Sequence, residues 1–246
     1  MGGKQMNHGA AAIAAIQEKL GGSSAEQVVE WALSTYGRRV AVACSFSMED
    51  VILVHMAVRT GLPCRVVALD TGRLHEETLW VAAQVEQRWG LQMEWYFPDA
   101  DDVEALVRQA GPFSFRNSLE ERRRCCDIRK RRPLQRALAD TPAWLTGLRR
   151  EQGQTRSSLH VAQWDDGFGG LVKLNPLVDW SDQQVADCVA GNLLPTSLLY
   201  GEGFTSIGCA PCTRATRPGE HPRAGRWWWE DPSHGECGLH PLGGRK

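Results

Sequence analysis

The chain has 246 residues, 42% of them hydrophobic, and a formal net charge of −1. This length suffices for one large α/β domain, or one domain with an appended segment. The near-neutral charge gives no general attraction to nucleic acid or to a membrane surface, and no run of about 20 apolar residues could span a bilayer. The first nine residues also lack the features of a signal peptide. We therefore expect a cytoplasmic protein, without nucleic-acid or membrane partners, whose eight cysteines are thiols or metal ligands.

Predicted helices and strands alternate along most of the chain. We predict helices at 10–20, 24–36, 51–59, 76–89, 101–109, 119–139 and 181–190, and strands at 39–44, 65–69, 92–97 and 143–146. Ser24 with Gln27, and Ser181 with Gln184, have capping-box spacing, and Pro133 should kink or divide its helix. The alternation predicts an α/β fold with a mostly parallel sheet and helices on both faces.

The composition changes at about residue 192. Residues 1–191 are predicted to form the α/β nucleotide-binding domain. Residues 192–246 are rich in Gly, Pro, Arg and Trp and show no clear periodicity. We interpret them as a functional C-terminal segment that folds onto the same domain.

Three candidate anion-binding loops follow predicted strands, at the strand ends where open α/β sheets bind ligands. The loop at 45–50 has two hydroxyl groups before a helix N-terminus, and the loop at 70–72 joins an acidic residue to a glycine. The loop that begins at 146 leads into arginines, whose guanidinium groups fit phosphate or sulfate. Each loop alone could be a plain connection or a solvated helix start, but together they favour an anion site.

Four cysteines occur as two close pairs, Cys125 with Cys126 in a basic segment and Cys209 with Cys212 in a loop. Consecutive side chains point apart on a helix or a strand, so an adjacent pair suits a single zinc ion poorly. A [4Fe–4S] cluster is larger and offers a separate iron to each sulfur, and nearby cations would stabilise its negative charge. We favour this cluster over zinc. The alternative interpretation of the segment is a basic helix face for solvent or nucleic acid.

A fifth cysteine, Cys237, stands apart near the C-terminus, three residues before His240. A lone cysteine can be incidental, but the upstream Arg223 and Arg226 could stabilise a nucleophilic thiolate and bind an anionic substrate. His240 could assist as an acid or base. No dinucleotide-binding motif is present, so we expect no bound nicotinamide or flavin. Cys237 also has no resolving cysteine partner in the sequence, so a thiol adduct on it would need an external dithiol to release it by exchange.

Together these motifs resemble those of the assimilatory adenylyl-sulfate reductases of the phosphoadenylyl-sulfate reductase family. The resemblance covers about residues 40–240 and includes paired cysteines and a Cys-Gly-Leu-His tail. It rests on Ser45-Phe-Ser-Met-Glu-Asp50, Leu69-Asp-Thr-Gly-Arg73, Arg124-Cys-Cys-Asp-Ile-Arg-Lys130, Trp144-Leu-Thr-Gly-Leu-Arg-Arg150, Asn175-Pro-Leu, Gly208-Cys-Ala-Pro-Cys212, Arg226-Trp-Trp-Trp-Glu230 and Glu236-Cys-Gly-Leu-His240. It implies an adenine-nucleotide α-hydrolase-like (PP-loop) fold.

The resemblance also implies an activity, the thioredoxin-dependent reduction of adenosine 5′-phosphosulfate to sulfite and AMP, in sulfate assimilation and cysteine biosynthesis. Cys237 would form an S-sulfocysteine, which thioredoxin or a glutaredoxin-like dithiol donor would resolve. Lys130 would couple a [4Fe–4S] cluster to the substrate, and Arg223 and Arg226 would hold the phosphosulfate. The implied cluster ligands are Cys125, Cys126, Cys209 and Cys212. The implied nucleotide contacts are Ser45, Ser47, Asp70, Gly72, Arg149 and Arg156. A homo-oligomer is compatible with the sequence.

Three other functions stay open. A phosphoadenylyl-sulfate reductase, or an enzyme of dual specificity, would act on the 3′-phosphorylated substrate, although its usual members lack the cysteine quartet. A PP-loop enzyme that thiolates RNA would be expected to carry Ser-Gly-Gly-x-Asp-Ser in its first loop, and this chain does not. A zinc-binding or nucleic-acid module would be colourless, and its binding to nucleic acid would depend on salt.

Overall fold

The computed structural model describes residues 2–153 and 156–231, except for the side chains of residues 2–8 and 10. Within these residues, six strands form one sheet in the order β3-β2-β1-β4-β6-β5. The strands are β1 (Val40–Cys44), β2 (Arg65–Leu69), β3 (Glu94–Tyr96), β4 (Ala143–Leu145), β5 (Ala162–Asp165) and β6 (Leu171–Leu174). All neighbours are parallel except β5 and β6, so the predicted mostly parallel sheet is confirmed.

The helices lie between the strands and after them. They are α1 (Gly2–Leu20), α2 (Ala25–Tyr36), α3 (Met48–Arg59), α4 (Glu76–Trp89), α5 (Ala100–Ala110), α6 (Leu119–Cys126), α7 (Arg132–Ala137) and α8 (Asp182–Asn192). Short 3₁₀ turns occupy Gly37–Arg39, Ser114–Arg116, Arg150–Gln152, Asp166–Phe168, Leu198–Tyr200 and Ala210–Cys212. No helix of the described ranges is long and apolar enough to cross a membrane.

Helices cover both faces of the sheet. Strand side chains alternate between the two faces, so neighbouring residues enter different cores. Val42 and Leu145 belong to the larger core, together with residues of α2 and α3 such as Ile52. Their neighbours Ala41 and Trp144 belong to a second core, which α7 closes with Leu134 and Ala137. The two-sided packing predicted from the sequence is therefore confirmed.

The predicted helix over 119–139 is divided into three parts. α6 ends at Cys126, a π-helical turn covers Asp127–Arg131, and α7 follows. Pro133 lies in the first turn of α7, directly after the π-helical turn, so the predicted division of the helix is found beside this proline. π-helical turns occur often at functional sites, and this one directly follows the adjacent cysteines.

The sequence analysis missed two strands, β5 and β6. Each has four residues, and the charged Lys173 interrupts the apolar pattern of β6. The structure accommodates this lysine because its Nζ lies 5.3 Å from the centre of the Trp144 ring and its charge interacts with Asp165 on β5. A strand can therefore contain this buried lysine. The charged residue nevertheless makes the sequence of β6 resemble that of a loop.

The antiparallel strand β5 forms one edge of the sheet, and α1 packs beside it. The side-chain amide of Gln17 donates a hydrogen bond to the carbonyl of Ala162, with a nitrogen–oxygen distance of 2.7 Å. α1 is also longer than predicted, since it begins at Gly2 rather than at residue 10.

Candidate active site

The three predicted anion-binding loops meet at one edge of the sheet. β2, β1 and β4 are adjacent and parallel, so the loops after them leave from the same side. In the first loop, Ser47 caps α3 by accepting a hydrogen bond from the Asp50 amide at 3.3 Å. Ser45 donates both its amide, at 2.8 Å, and its hydroxyl, at 2.5 Å, to the Asp50 carboxylate.

Asp50 joins the first loop to the loop after β4. Burial raises the pKa of its carboxyl group to about 6, although hydrogen bonds from Ser45 and from the Gly147 amide oppose this rise. Gly147 has no room for a side chain, since a Cβ there would lie 2.5 Å from an Asp50 oxygen and 2.8 Å from the Glu49 Cβ. The sequence analysis did not single out Asp50. Its place in the sequence, three residues after Ser47 and five after Ser45, is the pattern that could have identified it as an acceptor for this loop.

Arg149, a predicted nucleotide contact, is buried among protein acceptors. Its Nε and Nη2 lie 3.0 and 2.9 Å from one Glu49 oxygen, and Nη2 lies 2.5 Å from Asp182. Its Nη1 donates to the Trp180 carbonyl at 3.0 Å. This guanidinium group thus ties the start of α3 to the start of α8. Its contact with a nucleotide stays a prediction.

Arg156 and Lys130 lie in different parts of the site. Arg156 is buried, and its guanidinium donates to the side chain of Gln152 at the end of the short turn after β4. Lys130 belongs to the π-helical turn and lines a cavity that also contains cysteines.

The loop after β2 contacts the cysteine-bearing helix. Asp70 accepts a hydrogen bond from the Gly72 amide at 2.7 Å, and Gly72 has a φ of +68°, a conformation that favours glycine. Arg129 donates from Nη1 to the Thr71 carbonyl at 2.7 Å. A Cβ on Gly72 would lie 3.3 Å from that same nitrogen, so the glycine also makes room for Arg129.

All four paired cysteines line one cavity, as their predicted shared role requires. The cavity is lined by Cys125, Cys126, Cys209, Cys212, Arg73, Phe115, Arg122, Arg129 and Lys130. The second cysteine pair reaches it because the Ala210 amide donates to the Arg73 carbonyl at 2.8 Å. The hydroxyl of Thr71 also lies 3.3 Å from the Cys209 sulfur.

The cavity places the thiols beside the cationic side chains of Arg73, Arg122, Arg129 and Lys130. Burial, with the nearby Cys209 and Cys125, raises the pKa of Cys212 to about 12, although Lys130 and Arg226 oppose this rise. Burial also raises the pKa of Cys125. Such thiols do not ionise together unless iron or another metal compensates their charge. No three His, Cys, Asp or Glu side chains of the described residues are arranged to hold a metal ion, so the sulfurs share a cavity without converging on one ion site.

Two buried N–H groups beside these cysteines have no hydrogen-bond partner among the described residues. They are Nε of Arg129 and Nε1 of Trp227, and Trp227 packs in one apolar cluster with Cys125, Cys209 and Cys212. Buried donors are normally satisfied, and unmade bonds of this kind point to an acceptor that occupies the site when it is loaded. Cysteine thiolates and cluster sulfides are acceptors of this kind, so the residues present fit a [4Fe–4S] group.

The two predicted phosphosulfate arginines lie together beside this cavity. Arg223 and Arg226 both donate to the Ser206 hydroxyl, at 3.4 and 3.3 Å. Arg226 also donates to the Ile207 carbonyl at 3.2 Å. Its guanidinium lies directly against Gly208, where a Cβ would overlap it. The glycine of Gly208-Cys-Ala-Pro-Cys212 therefore makes room for an arginine of the candidate site.

His75 is a residue of this region that the sequence analysis did not identify. It precedes α4, and its buried Nε2 has no hydrogen-bond partner among the described residues. Burial lowers its pKa, as does the nearby Arg226, while Glu77 opposes this. The predicted catalytic residues Cys237 and His240 lie outside the described residues, so their roles stay predictions.

Comparison with known proteins gives a consistent result. The family model described as phosphoadenosine phosphosulfate reductase domain matches residues 39–215. The chain is 46% identical over 202 residues to adenosine 5′-phosphosulfate reductase of Burkholderia cepacia, covering 82% of this chain and 80% of the relative. It is 46% identical over 201 residues to the enzyme of that name from Allochromatium vinosum, covering 82% and 78%. It is 43% identical over 234 residues to probable 5′-adenylylsulfate reductase 1, chloroplastic, of Oryza sativa subsp. japonica, but spans only 49% of that relative.

Solved structures support the fold alone. Phosphoadenylyl-sulfate reductase from Candida auris, in a phosphate complex, superposes with a TM-score of 0.70 at 24% identity, covering 82% of this chain and 96% of that one. FMN adenylyltransferase of Candida glabrata superposes with a TM-score of 0.54 at 13% identity, covering 94% and 80%. Both share the α/β arrangement predicted here.

Proposed function

Because this chain belongs to the phosphoadenosine phosphosulfate reductase family, we propose that it reduces adenosine 5′-phosphosulfate to sulfite and AMP with electrons from a thioredoxin-like dithiol protein. The observation that carries the proposal is the shared cavity of the two cysteine pairs, which directly adjoins the loop after β2. A nucleotide at the strand ends would therefore lie beside the cysteine cavity. The role in sulfate assimilation follows from the names of the bacterial and plant relatives.

We propose that Cys237 performs the first step. Its thiolate attacks the sulfur of the sulfate group, an S–S bond forms, and the S–O bond to the AMP phosphate breaks as AMP leaves with the electron pair. Negative charge grows on the AMP phosphate during this step. Arg223 and Arg226, which already lie around Ser206, would stabilise that charge with little reorganisation. His240 would assist proton transfer near the thiol.

In the second step, one thiolate of the dithiol protein attacks the Cys237 sulfur. Sulfite leaves with the electron pair, and the second thiol of the donor closes a disulfide and frees Cys237. The donor's two thiols are oxidised, and the sulfur of the substrate is reduced by two electrons. This account needs no nicotinamide or flavin, in agreement with the lack of a dinucleotide motif.

We further propose that Cys125, Cys126, Cys209 and Cys212 hold a [4Fe–4S] cluster. The cavity they line and the raised pKa values of Cys125 and Cys212 support this assignment, as do Nε of Arg129 and Nε1 of Trp227, which have no hydrogen-bond partner among the described residues. When bound, the cluster would supply a fixed charge beside the substrate rather than electrons, because the dithiol supplies both electrons. Lys130 would act between the cluster and the substrate.

The unphosphorylated substrate is the first candidate, and the 3′-phosphorylated one is the alternative. Ser45, Ser47, Asp70, Gly72, Arg149 and Arg156 are the proposed nucleotide contacts. The cysteine quartet and the relatives named for adenosine 5′-phosphosulfate favour the first. A cytoplasmic location is proposed because free thiols persist in a reducing compartment.

Anaerobic purification followed by iron and sulfide analysis tests the cluster, and sulfite release with thioredoxin tests the reaction. We expect a brown protein with about four irons and four sulfides per chain, and turnover on adenosine 5′-phosphosulfate that exceeds turnover on its 3′-phosphorylated form. A colourless zinc protein without sulfite release would refute both proposals. Equal turnover on the two substrates would refute the substrate preference alone.

A further inference from the structure

Arg122 and Glu230 form a buried ion pair that joins α6 to the C-terminal segment. The Arg122 side chain is 1% exposed and that of Glu230 is 10% exposed. Nε of Arg122 lies 2.7 and 2.9 Å from the two carboxylate oxygens. Burying two charges costs several kcal/mol of solvation, so such a pair is weak support for stability alone. Its position, three residues before Cys125, suggests a geometric role.

Trp227 lies between this pair and Arg226. Cζ of Arg122 is 4.3 Å from the centre of a Trp227 ring, and Cζ of Arg226 is 4.8 Å from it. Trp227 is 2% exposed and has a φ of +45°, which is strained for an aromatic residue and persists only where the surroundings enforce it. Its amide also donates to the Cys212 carbonyl at 3.1 Å.

The two arginines differ in how their charge is compensated. Glu230 neutralises Arg122, whereas Arg226 contacts the neutral acceptors Ser206 and Ile207 and has no carboxylate partner among the described residues. A carboxylate partner would offset part of the charge that an arginine offers to an anionic substrate. Stacking on Trp227 can fix Arg226 and leave that charge available.

We propose that Arg122 and Glu230 are positioning residues, which hold Trp227 in its strained conformation and thereby place Arg226 for an anionic sulfate ester. This inference rests on the proposed function, in which Arg226 contacts the phosphosulfate. Arg122 acts through Trp227 and does not touch the substrate. Loss of the pair releases Trp227, and the guanidinium of Arg226 then loses its fixed position.

The test is a double-mutant cycle on the cluster-loaded protein, in a Cys237→Ser background that prevents turnover. Equilibrium titration with adenosine 5′-phosphosulfate gives Kd for the parent, for Arg226→Ala, for Arg122→Met/Glu230→Met, and for the combination. The Met pair replaces the buried charges with apolar groups of similar length, which buried sites often tolerate. We expect each change to weaken binding about tenfold, and the combination to bind no more weakly than Arg226→Ala, because coupled residues are not additive.

A matched control is the pair Arg65 and Glu94, whose side-chain atoms lie 2.8 Å apart. Arg65 is the first residue of β2, so it lies at the opposite end of the strand from the loop that belongs to the site. Arg65→Met/Glu94→Met should leave Kd unchanged. Iron content and visible absorption are recorded for every variant, so that loss of the cluster is separated from loss of binding.

The outcomes distinguish the two proposals. An unchanged Kd in the Met pair, or losses that multiply in the combination, would overturn the positioning role. If Arg226→Ala binds as tightly as the parent, the assignment of Arg226 in the proposed function fails, and the positioning role fails with it. Should the Met pair not fold, Arg122→Lys takes its place in the cycle, because lysine keeps the charge for Glu230 but lacks the planar group that stacks on Trp227. Parent-like binding by Arg122→Lys would then overturn the proposal.

Discussion

Thr71 contacts both the cysteine cavity and the π-helical turn that follows the adjacent cysteines. Its hydroxyl lies 3.3 Å from the Cys209 sulfur, and its carbonyl accepts a hydrogen bond from Arg129 at 2.7 Å. Asp70 and Gly72, two proposed nucleotide contacts, are its neighbours in the chain. Thr71 therefore links the strand-end loop directly to the sulfurs. We expect a change at Thr71 to alter the properties of the proposed cluster.

Thr71→Val removes the hydroxyl and keeps the shape of the side chain. We expect the visible absorption of the cluster to decay several-fold faster in air, because Cys209 loses a polar neighbour that helps to protect and orient its sulfur. Thr71→Ser, which keeps the hydroxyl, is the matched control and should decay at the parent rate. Equal decay of the valine and serine variants would contradict the role of the hydroxyl.

Cys237→Ser should abolish sulfite release and leave the brown chromophore intact, because the nucleophile and the cluster ligands are different residues in the proposed function. Sulfite assays and the absorption spectrum measure the two properties separately. Cys64→Ser, at a half-buried thiol outside the cysteine cavity, should retain both. Loss of the chromophore in Cys237→Ser would contradict the proposed division of roles.

Gly208→Ala should impair substrate binding more than stability. The new Cβ would overlap the guanidinium of Arg226, whose flexible side chain can move aside at little cost in folding free energy. We expect KM for adenosine 5′-phosphosulfate to rise about tenfold, which corresponds to about 1.4 kcal/mol. Gly191→Ala, on α8 with open space around it, is the control and should leave KM unchanged. A large fall in unfolding temperature with an unchanged KM would refute this account of Gly208.

Arg149→Lys should destabilise the protein much more than Arg150→Lys. Arg149 is 4% exposed and bridges Glu49 and Asp182, which the smaller ammonium group cannot do with the same geometry. Lysine keeps the charge but leaves some of these acceptors without a hydrogen bond, which costs about 1–3 kcal/mol, whereas exposed pairs contribute up to about 1 kcal/mol. Arg150 is 40% exposed and pairs with the exposed Asp179. Urea unfolding measures the unfolding free energy of both variants. Equal losses of that free energy would contradict the structural role of Arg149.

Asp50 should make stability depend on pH in a defined direction. Its pKa is raised to about 6 in the folded protein, so its contribution is fully present below its unfolded pKa of about 3.9 and is lost as pH rises through about 6. The shift of about two units corresponds to about 3 kcal/mol. We expect the unfolding free energy of Asp50→Asn minus that of the parent to increase by up to that amount between about pH 4 and pH 7. A difference that does not change with pH would contradict the raised pKa.

The sequence predicted the parts of the site that depend on local pattern. The loops after β1, β2 and β4 follow clear strands, and their meeting at one sheet edge follows from parallel pairing. The capping boxes at Ser24 and Ser181 are present as predicted, because both partners lie within one helical turn. The sequence analysis also placed the two cysteine pairs together, because it assigned them to one shared ligand. In the structure all four cysteines line one cavity.

The rest depends on contacts between residues that are distant in the chain. Arg122 and Glu230 are 108 positions apart, and Arg149 and Glu49 are 100 apart. No local sequence pattern indicates which acidic residue pairs with which arginine. The family resemblance implied that Arg149 contacts the nucleotide, and the structure also gives this residue protein partners on two helices.

The hydrogen bond from Gln17 to Ala162 has a consequence for shortened forms of the protein. β5 is an edge strand, and the unpaired backbone groups of an open edge can pair with another chain. α1 covers this edge in the intact chain. A version that starts after Leu20 would expose the backbone groups of β5 to other chains. We expect it to aggregate through this strand before any defect appears at the distant cysteine cavity.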